Sequence, residues 1–188
     1  IMRHSMATAA LAREIAKDMQ AKPHVIDDAF MAGLLHDTGW LLLADRVSER
    51  YGEVLDTARR DGMPIWQAEM QTLGANHGQA GAYLLGLWGL PDPIVETLAF
   101  HHEPARCDQR AFGALAAVHV ADALSQQQDP PDPDVAVSDV AEDYLAGLGL
   151  ADRLDKWRSM APGGKDVTGY PAAGSRTAAA RARPARSR

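Results

Sequence analysis

MAGLLHDTGWLLLAD, residues 31–45, is a nearly continuous apolar run that carries His36 and Asp37 side by side in its middle. An unpaired buried carboxylate costs several kcal/mol, so a buried aspartate shifts its pKa, finds hydrogen-bond donors or binds a metal. Around this run the apolar residues recur at helical spacing. Residues 2–20 place Met6, Leu11, Ile15 and Met19 four or five apart among alanines, the pattern of an amphipathic helix. Pro23 and His24 interrupt it, and Asp27 and Asp28 are placed to cap a second helix through Phe30, Leu34 and Leu35. Gly39 permits a bend before Trp40 to Leu43, so a helix end falls close to the His-Asp pair.

The remainder continues in helices. Ser48, Tyr51, Val54, Leu55 and Ala58 predict a third, closed by Asp61-Gly62, and Pro64 opens a fourth over 64–73. GANHGQAGAYLLGLWGLP, residues 74–91, reads as a small-residue helix ending at Gly89, whose glycines let neighbouring backbones approach. A helix from Pro93 reaches His101 and His102, and a long one over 109–127 carries Phe112, Leu115, Val118, Ala121 and Leu124. Short helices follow over Ser138–Leu148 and Asp152–Met160. Strand patterns and 20–50-residue repeats are absent, so the fold class is all-α. Residues 1–128 form the main unit, 129–137 a Pro/Asp linker, 138–160 accessory helices and 161–188 a disordered basic tail. Trp66, Trp88 and Trp157 are expected as core or inter-helix anchors.

Composition narrows the function classes. Of 188 residues, 46% are hydrophobic, enough for a proper core. The single cysteine, Cys107, excludes an internal disulfide and suggests a reducing compartment. There is neither a signal-peptide pattern nor an apolar stretch of membrane-spanning length, which makes a cytoplasmic, non-membrane protein the expectation. The chain begins at Ile1, directly in a helical pattern, and reads as a fragment lacking an upstream part. Net charge is −6, but residues 161–188 carry six basic residues against Asp166, leaving −11 on the rest. A body that acidic repels a nucleic-acid backbone, so no DNA binding is expected from it.

Seven histidines occur, and most fall in or at the ends of the helices that look most buried. His4, His36, Asp37, His77, His101, His102 and Asp122 form an ordered series over five helical segments. Imidazole nitrogen and carboxylate oxygen suit zinc, iron and manganese, and a helical bundle can bring them together in its interior. The alternative for each histidine is a hydrogen-bonded core residue, with Asp37 accepting from imidazoles and backbone amides. Cys107 has no base and orienting group beside it in the pattern and is not expected as a nucleophile.

RHSMATAALAREIA, AGLLHDTG, the stretch GANHGQAGAYLLGLWGLPDPIVETLAFHHEP and then VHVADAL follow one another in the order of the HD superfamily. The chain resembles in particular the HDOD domain, the HD-related output domain of bacterial signalling proteins, over about residues 3–125. The resemblance implies an all-helical HD-like half whose N-terminal companion half is missing. It also implies a regulatory role through signalling proteins or a linked receiver or sensor domain, with a homodimer as a further expectation. Catalytic HD proteins are metal-dependent phosphohydrolases with the ligand order H, HD, H, HH, D, and every position has a candidate here. By the same resemblance these seven residues would hold one or two divalent ions. The alternative it implies is a metal-dependent phosphohydrolase acting on a cyclic dinucleotide or nucleotide, but two departures from the HD-GYP enzymes that open cyclic di-GMP weigh against catalysis. Trp40 stands where those enzymes carry a lysine, and Pro104-Ala105-Arg106-Cys107-Asp108 replaces their DG-GYP signature. Gly169-Tyr170-Pro171 lies in the tail and is taken as coincidence.

Overall fold

The computed structural model describes residues 2–128 and 134–161. They form the helices α1 (Met2–Asp18), α2 (Pro23–Leu35), α3 (Thr38–Arg46), α4 (Ser48–Asp61), α5 (Ile65–Leu73), α6 (His77–Leu87), α7 (Asp92–Phe100), α8 (Ala114–Gln128), α9 (Glu142–Gly147) and α10 (Leu154–Met160). No strand occurs among the described residues. No described helix is long and apolar enough to cross a membrane. The expected tail disorder and Gly169-Tyr170-Pro171 lie outside the described residues, as does most of the linker.

Local chemistry fixes where the helices start and stop. Pro23, not an aspartate, opens α2: Lys22 is extended and Pro23 sits in the first turn, so Asp27 and Asp28 lie inside the helix and cap nothing. α2 ends one residue before His36, and Asp37, with φ −93° and ψ 4°, is the residue from which α3 starts. The His-Asp pair therefore occupies a break between two helices. α4 closes on Gly62 in the left-handed region, φ 63°, as Asp61-Gly62 predicts. Asn76 caps α6 through a reciprocal box with Gln79, which sets His77 as the first helical residue. α8 begins at Ala114, later than the periodicity suggested, and is buried almost all round as the bundle's central helix.

Two apolar clusters result. The larger joins α1, α2, α6, α7 and α8 with the C-terminal helices and includes Ile15, Leu98, Leu115, Leu145 and Trp157. The smaller holds Tyr51, Val54, Ala58 and Ala68 from α4 and α5, with Trp40 packed against it. Val135 belongs to this second cluster, so the end of the expected linker is packed. Trp157 is the anchor the sequence suggests, its indole N–H donating to Asp18 at 3.1 Å. Trp88 is not: it is 69% exposed, together with Tyr83 and Leu87 on the same end of α6.

Candidate metal centre

Helix ends aim the histidines. His36 and His101 each follow the last residue of a helix, and each Nδ1–H donates to the carbonyl three residues back, Gly33 and Leu98, both at 2.8 Å. A carbonyl only accepts, so Nδ1 carries the proton and Nε2 is turned to the interior. His77 is oriented by a carboxylate instead. Glu69 of α5 takes its Nδ1–H and its backbone N–H, both at 2.7 Å on one oxygen, and the Tyr51 hydroxyl at 2.6 Å on the other. The backbone bond satisfies an amide that the helix start leaves open.

The inward atoms crowd together. His36 Nε2 lies 3.3 Å from His4 Nε2, 3.3 Å from Asp37 Oδ1 and 3.4 Å from Asp122 Oδ1. His77 Nε2 is 3.3 Å from Asp37 Oδ1 and 2.8 Å from His102 Nε2. His4 Nε2 is 2.9 Å from Asp122 Oδ1. His101 Nε2 and His102 Nδ1 are buried without a hydrogen-bond partner. All seven residues singled out in the sequence thus meet in one place, drawn from α1, the α2–α3 break, α6, the end of α7 and α8.

These spacings fit a metal. Ligand bonds of about 2.1 Å give ligand–ligand edges of about 3.0 Å in an octahedron and about 3.4 Å in a tetrahedron. Three overlapping sets have donor atoms within 4.8 Å of one another: His77, His101 and His102; His4, His36 and Asp122; and His36, Asp37 and His101. The first two share no residue and Asp37 lies between them, an arrangement able to hold two ions. Unpartnered imidazole nitrogens and closely packed lone pairs are what a cation relieves.

Sequence reasoning missed Glu69 and Trp66. Glu69 falls four residues after Ile65 and four before Leu73, on the apolar face of α5, and a carboxylate on a buried stripe was the available signal. Trp66 is no simple anchor: its ring stacks on His102 at 5.4 Å and 9° and lines the cavity over the centre. Trp40 also lines that cavity. Arg13 lies 5.6 Å over the Phe30 ring. Cys107 is free and buried.

The profile of the HDOD domain matches residues 1–104, more than half of the chain. The chain belongs to the HDOD family. Its fold is similar to an HDOD domain protein of unknown function from Geobacter sulfurreducens, with a TM-score of 0.60 and 20% identity, covering 85% of this chain and 60% of that one. It is equally similar to a proposed phosphohydrolase from Shewanella amazonensis SB2B: TM-score 0.60, 21% identity, 86% of this chain and 61% of that one. A 78-residue stretch, 42% of this chain, is 27% identical to an uncharacterized protein of Treponema pallidum (strain Nichols), of which it spans 15%. The chain therefore spans less than two thirds of the length of each of these relatives. In this HDOD chain Asp122, on α8, lies beyond the family match yet completes the centre.

Charge in the metal-free HDOD domain is balanced by protons. Burial depresses an imidazole, but at His36 the charge of Asp37, joined by Asp122, outweighs it and lifts the pKa to about 9. At His77 burial is outweighed by hydrogen bonds to Asp37 and Glu69, and the pKa rises to about 10. Burial and then the His36 charge hold His101 down at about 3, and burial with His101 holds His102 well below its usual value. Burial alone would raise Asp37 and Asp122, yet His36 with His77 or His4 keeps both well below the carboxylate range.

The signs set a pH optimum for the metal-free fold. His36 and His77 titrate above the unfolded value of 6.5, so their stabilisation is complete below about pH 6.5 and lost as pH rises through about 9 and about 10. His101 acts oppositely, stabilising above about 6.5 and losing this as pH falls towards about 3. Urea denaturation of chelated protein is expected to show greatest stability near about pH 6.5. Metal binding near about pH 7.5 is expected to release about two protons, read as a buffer-dependent heat. Glu69→Gln is expected to weaken metal binding about 10–100-fold, because an amide places N–H groups against the donors of Tyr51 or His77. Competition with a chelating dye measures it; unchanged affinity would mean that Glu69 does not orient His77.

Proposed function

We propose that this HDOD domain is a regulatory output module of the bacterial signalling type, built around a divalent-metal centre and acting through protein partners. The observation that carries the metal is the meeting of five imidazoles and two carboxylates at ligand–ligand spacing, with His36, His77 and His101 each held by Nδ1. His4, His36 and Asp122 would hold one ion and His77, His101 and His102 a second, with Asp37 between. Nitrogen-rich sets of this kind suit iron, manganese or zinc. A bound ion supplies Lewis acidity and lowers the pKa of water.

Two features favour regulation. The cavity over the centre is about 70 Å³, far below the roughly 300 Å³ of ordinary ligand pockets, so it takes waters, ions or a phosphate-sized group rather than a cyclic dinucleotide. Among the described residues its lining includes no lysine or arginine, and Trp40 fills the place of the enzymes' cation. For output, α6 runs from His77 in the centre to the exposed Tyr83, Leu87 and Trp88, an apolar surface joined rigidly to the site. A linked receiver or sensor domain, a separate signalling protein or a second copy would meet it there.

The complete ligand series supports a second reading, a metal-dependent phosphohydrolase for small phosphate esters. There His36 and His77 take up or release protons, and Glu69 fixes which nitrogen of His77 faces the reaction. One experiment separates the two. Protein purified without chelator is assayed for iron, manganese and zinc, then for turnover of a chromogenic phosphoester. About one equivalent or more without turnover supports the regulatory reading; metal with turnover lost in Asp37→Asn supports the hydrolase. Less than about a tenth of an equivalent after reconstitution removes the metal centre from both. Output is tested separately by Leu87→Asp with Trp88→Asp, expected to abolish the response of the complete signalling protein while leaving metal content unchanged.

A further inference from the structure

Residues 134–141 have no regular secondary structure, yet they are fastened at both ends and in the middle. Val135 inserts among Tyr51, Val54, Ala58 and Ala68 in the second apolar cluster, and Val140 packs into the main core. Between them Ser138 Oγ accepts the Trp66 indole N–H at 3.1 Å, and Ser138 N–H meets Gln126 Oε1 at 3.4 Å. Ala141 N–H donates to His119 Nε2 at 2.9 Å.

Each tether ends on the centre. Trp66 stacks on His102. Gln126 donates from Nε2 to both oxygens of Asp122, at 2.9 and 3.0 Å. The Ala141 amide is a donor, so His119 Nε2 accepts and Nδ1 carries the proton, which goes to the His101 carbonyl at 2.7 Å. The cavity is lined by His4, Asp37, His77 and His102 of the centre together with Trp66, Val135, Ala136 and Ser138. A short stretch of chain thus lines the cavity beside the site and reaches three of its ligands through one intervening side chain each.

We propose that residues 134–141 are a strap that gates this centre, with His119, Gln126 and Trp66 as the positioning residues that link strap and ligands. The proposal rests on the metal-centre reading for its function, though not for its existence. Closed, the strap admits ions and phosphate-sized groups; withdrawn, it exposes the His102 and Gln126 lining of the pocket to larger ligands. The linkage is reciprocal: an ion that fixes Asp122 and His101 also fixes Gln126 and His119 and so holds the strap down, and withdrawal loosens the ligands. Strap position is then a second route, beside α6, by which metal occupancy reaches the surface.

Hydrogen exchange on the full chain tests this with and without manganese. The Ser138 and Ala141 amides are expected to be protected, and manganese is expected to slow their exchange further. Val135→Asp is expected to speed that exchange about tenfold or more, and manganese loss to a chelator with it, while α1 and α8 amides keep their protection. Trp66→Phe, which keeps the stacking and deletes the N–H, is expected to act in the same direction with a smaller effect. Val135→Ile is expected to restore parental rates. Parental Ser138 and Ala141 amides exchanging as unstructured chain, or both variants leaving exchange unchanged, would overturn the strap. Absence of metal binding with protected, Val135-dependent amides would overturn the metal centre and leave the strap standing.

Discussion

Asp37→Asn is expected to lower metal affinity by at least about 100-fold and to abolish any phosphoester turnover. Asp37 Oδ1 stands 3.3 Å from both His36 Nε2 and His77 Nε2, so this one carboxylate joins the two halves of the centre. Asparagine keeps the shape but removes the charge, and an amide N–H replaces one acceptor. The metal-free protein responds too. The Asp37 charge keeps His36 protonated against burial, and without it the imidazolium loses its main support. Breaking a buried pair costs about 3–5 kcal/mol. Part of that is recovered because His36 can shed its proton, and the Asp37 side chain is 16% exposed, so a loss of about 2 kcal/mol at neutral pH is the expected net effect. Metal titration by calorimetry and urea denaturation near pH 6.5 and pH 9 measure both. Parental metal content in the variant would show that Asp37 is only a hydrogen-bond acceptor. The stability loss is expected to shrink at the higher pH, where His36 is less protonated.

The helices and the ligands were legible in the sequence because both depend on local pattern. Period and punctuation located α1, α4 and α5 closely, since Asp61-Gly62 and Pro64 act within one turn of the residues they stop or start. The seven ligand candidates stood out as polar residues inside apolar segments. What escaped depends on tertiary neighbours. Glu69 matters only because α5 lies where His77 begins α6, a relation among three segments that no single window contains. Trp88 is a large aromatic on a small-residue helix, and nothing within α6 distinguishes the face that meets α3 from the face left outside. By its sequence Gly39 permits a bend before Trp40. The bend is instead made by His36 and Asp37, and Gly39 has a different task.

Gly39→Ala is expected to be among the most destabilising single substitutions in the chain. A Cβ at this position would stand 1.9 Å from the His77 carbonyl oxygen, 2.4 Å from Gly81 N and 2.9 Å from His77 C. Those are backbone atoms of α6, so no side chain can swing away, and α3 and α6 must separate. Alanine's helix preference over glycine is worth about 1 kcal/mol in the opposite direction. Overpacking a close-packed contact costs about 1–3 kcal/mol where side chains can adjust, and more where they cannot. The clash wins, with an expected net loss of about 3 kcal/mol or more, equivalent to about 6–12 °C in Tm for a chain of this size. Asp37 lies two residues before Gly39 and His77 is the group struck, so metal affinity falls with stability. Gly52→Ala supplies the control: it lies within α4 and a Cβ there meets nothing within 4 Å, so only the propensity gain remains and the protein is expected to melt slightly higher. Thermal unfolding of both variants decides the matter. A Gly39→Ala protein that melts with Gly52→Ala would mean that α3 and α6 do not touch through this glycine, and the closeness of Asp37 to His77 would then need another cause.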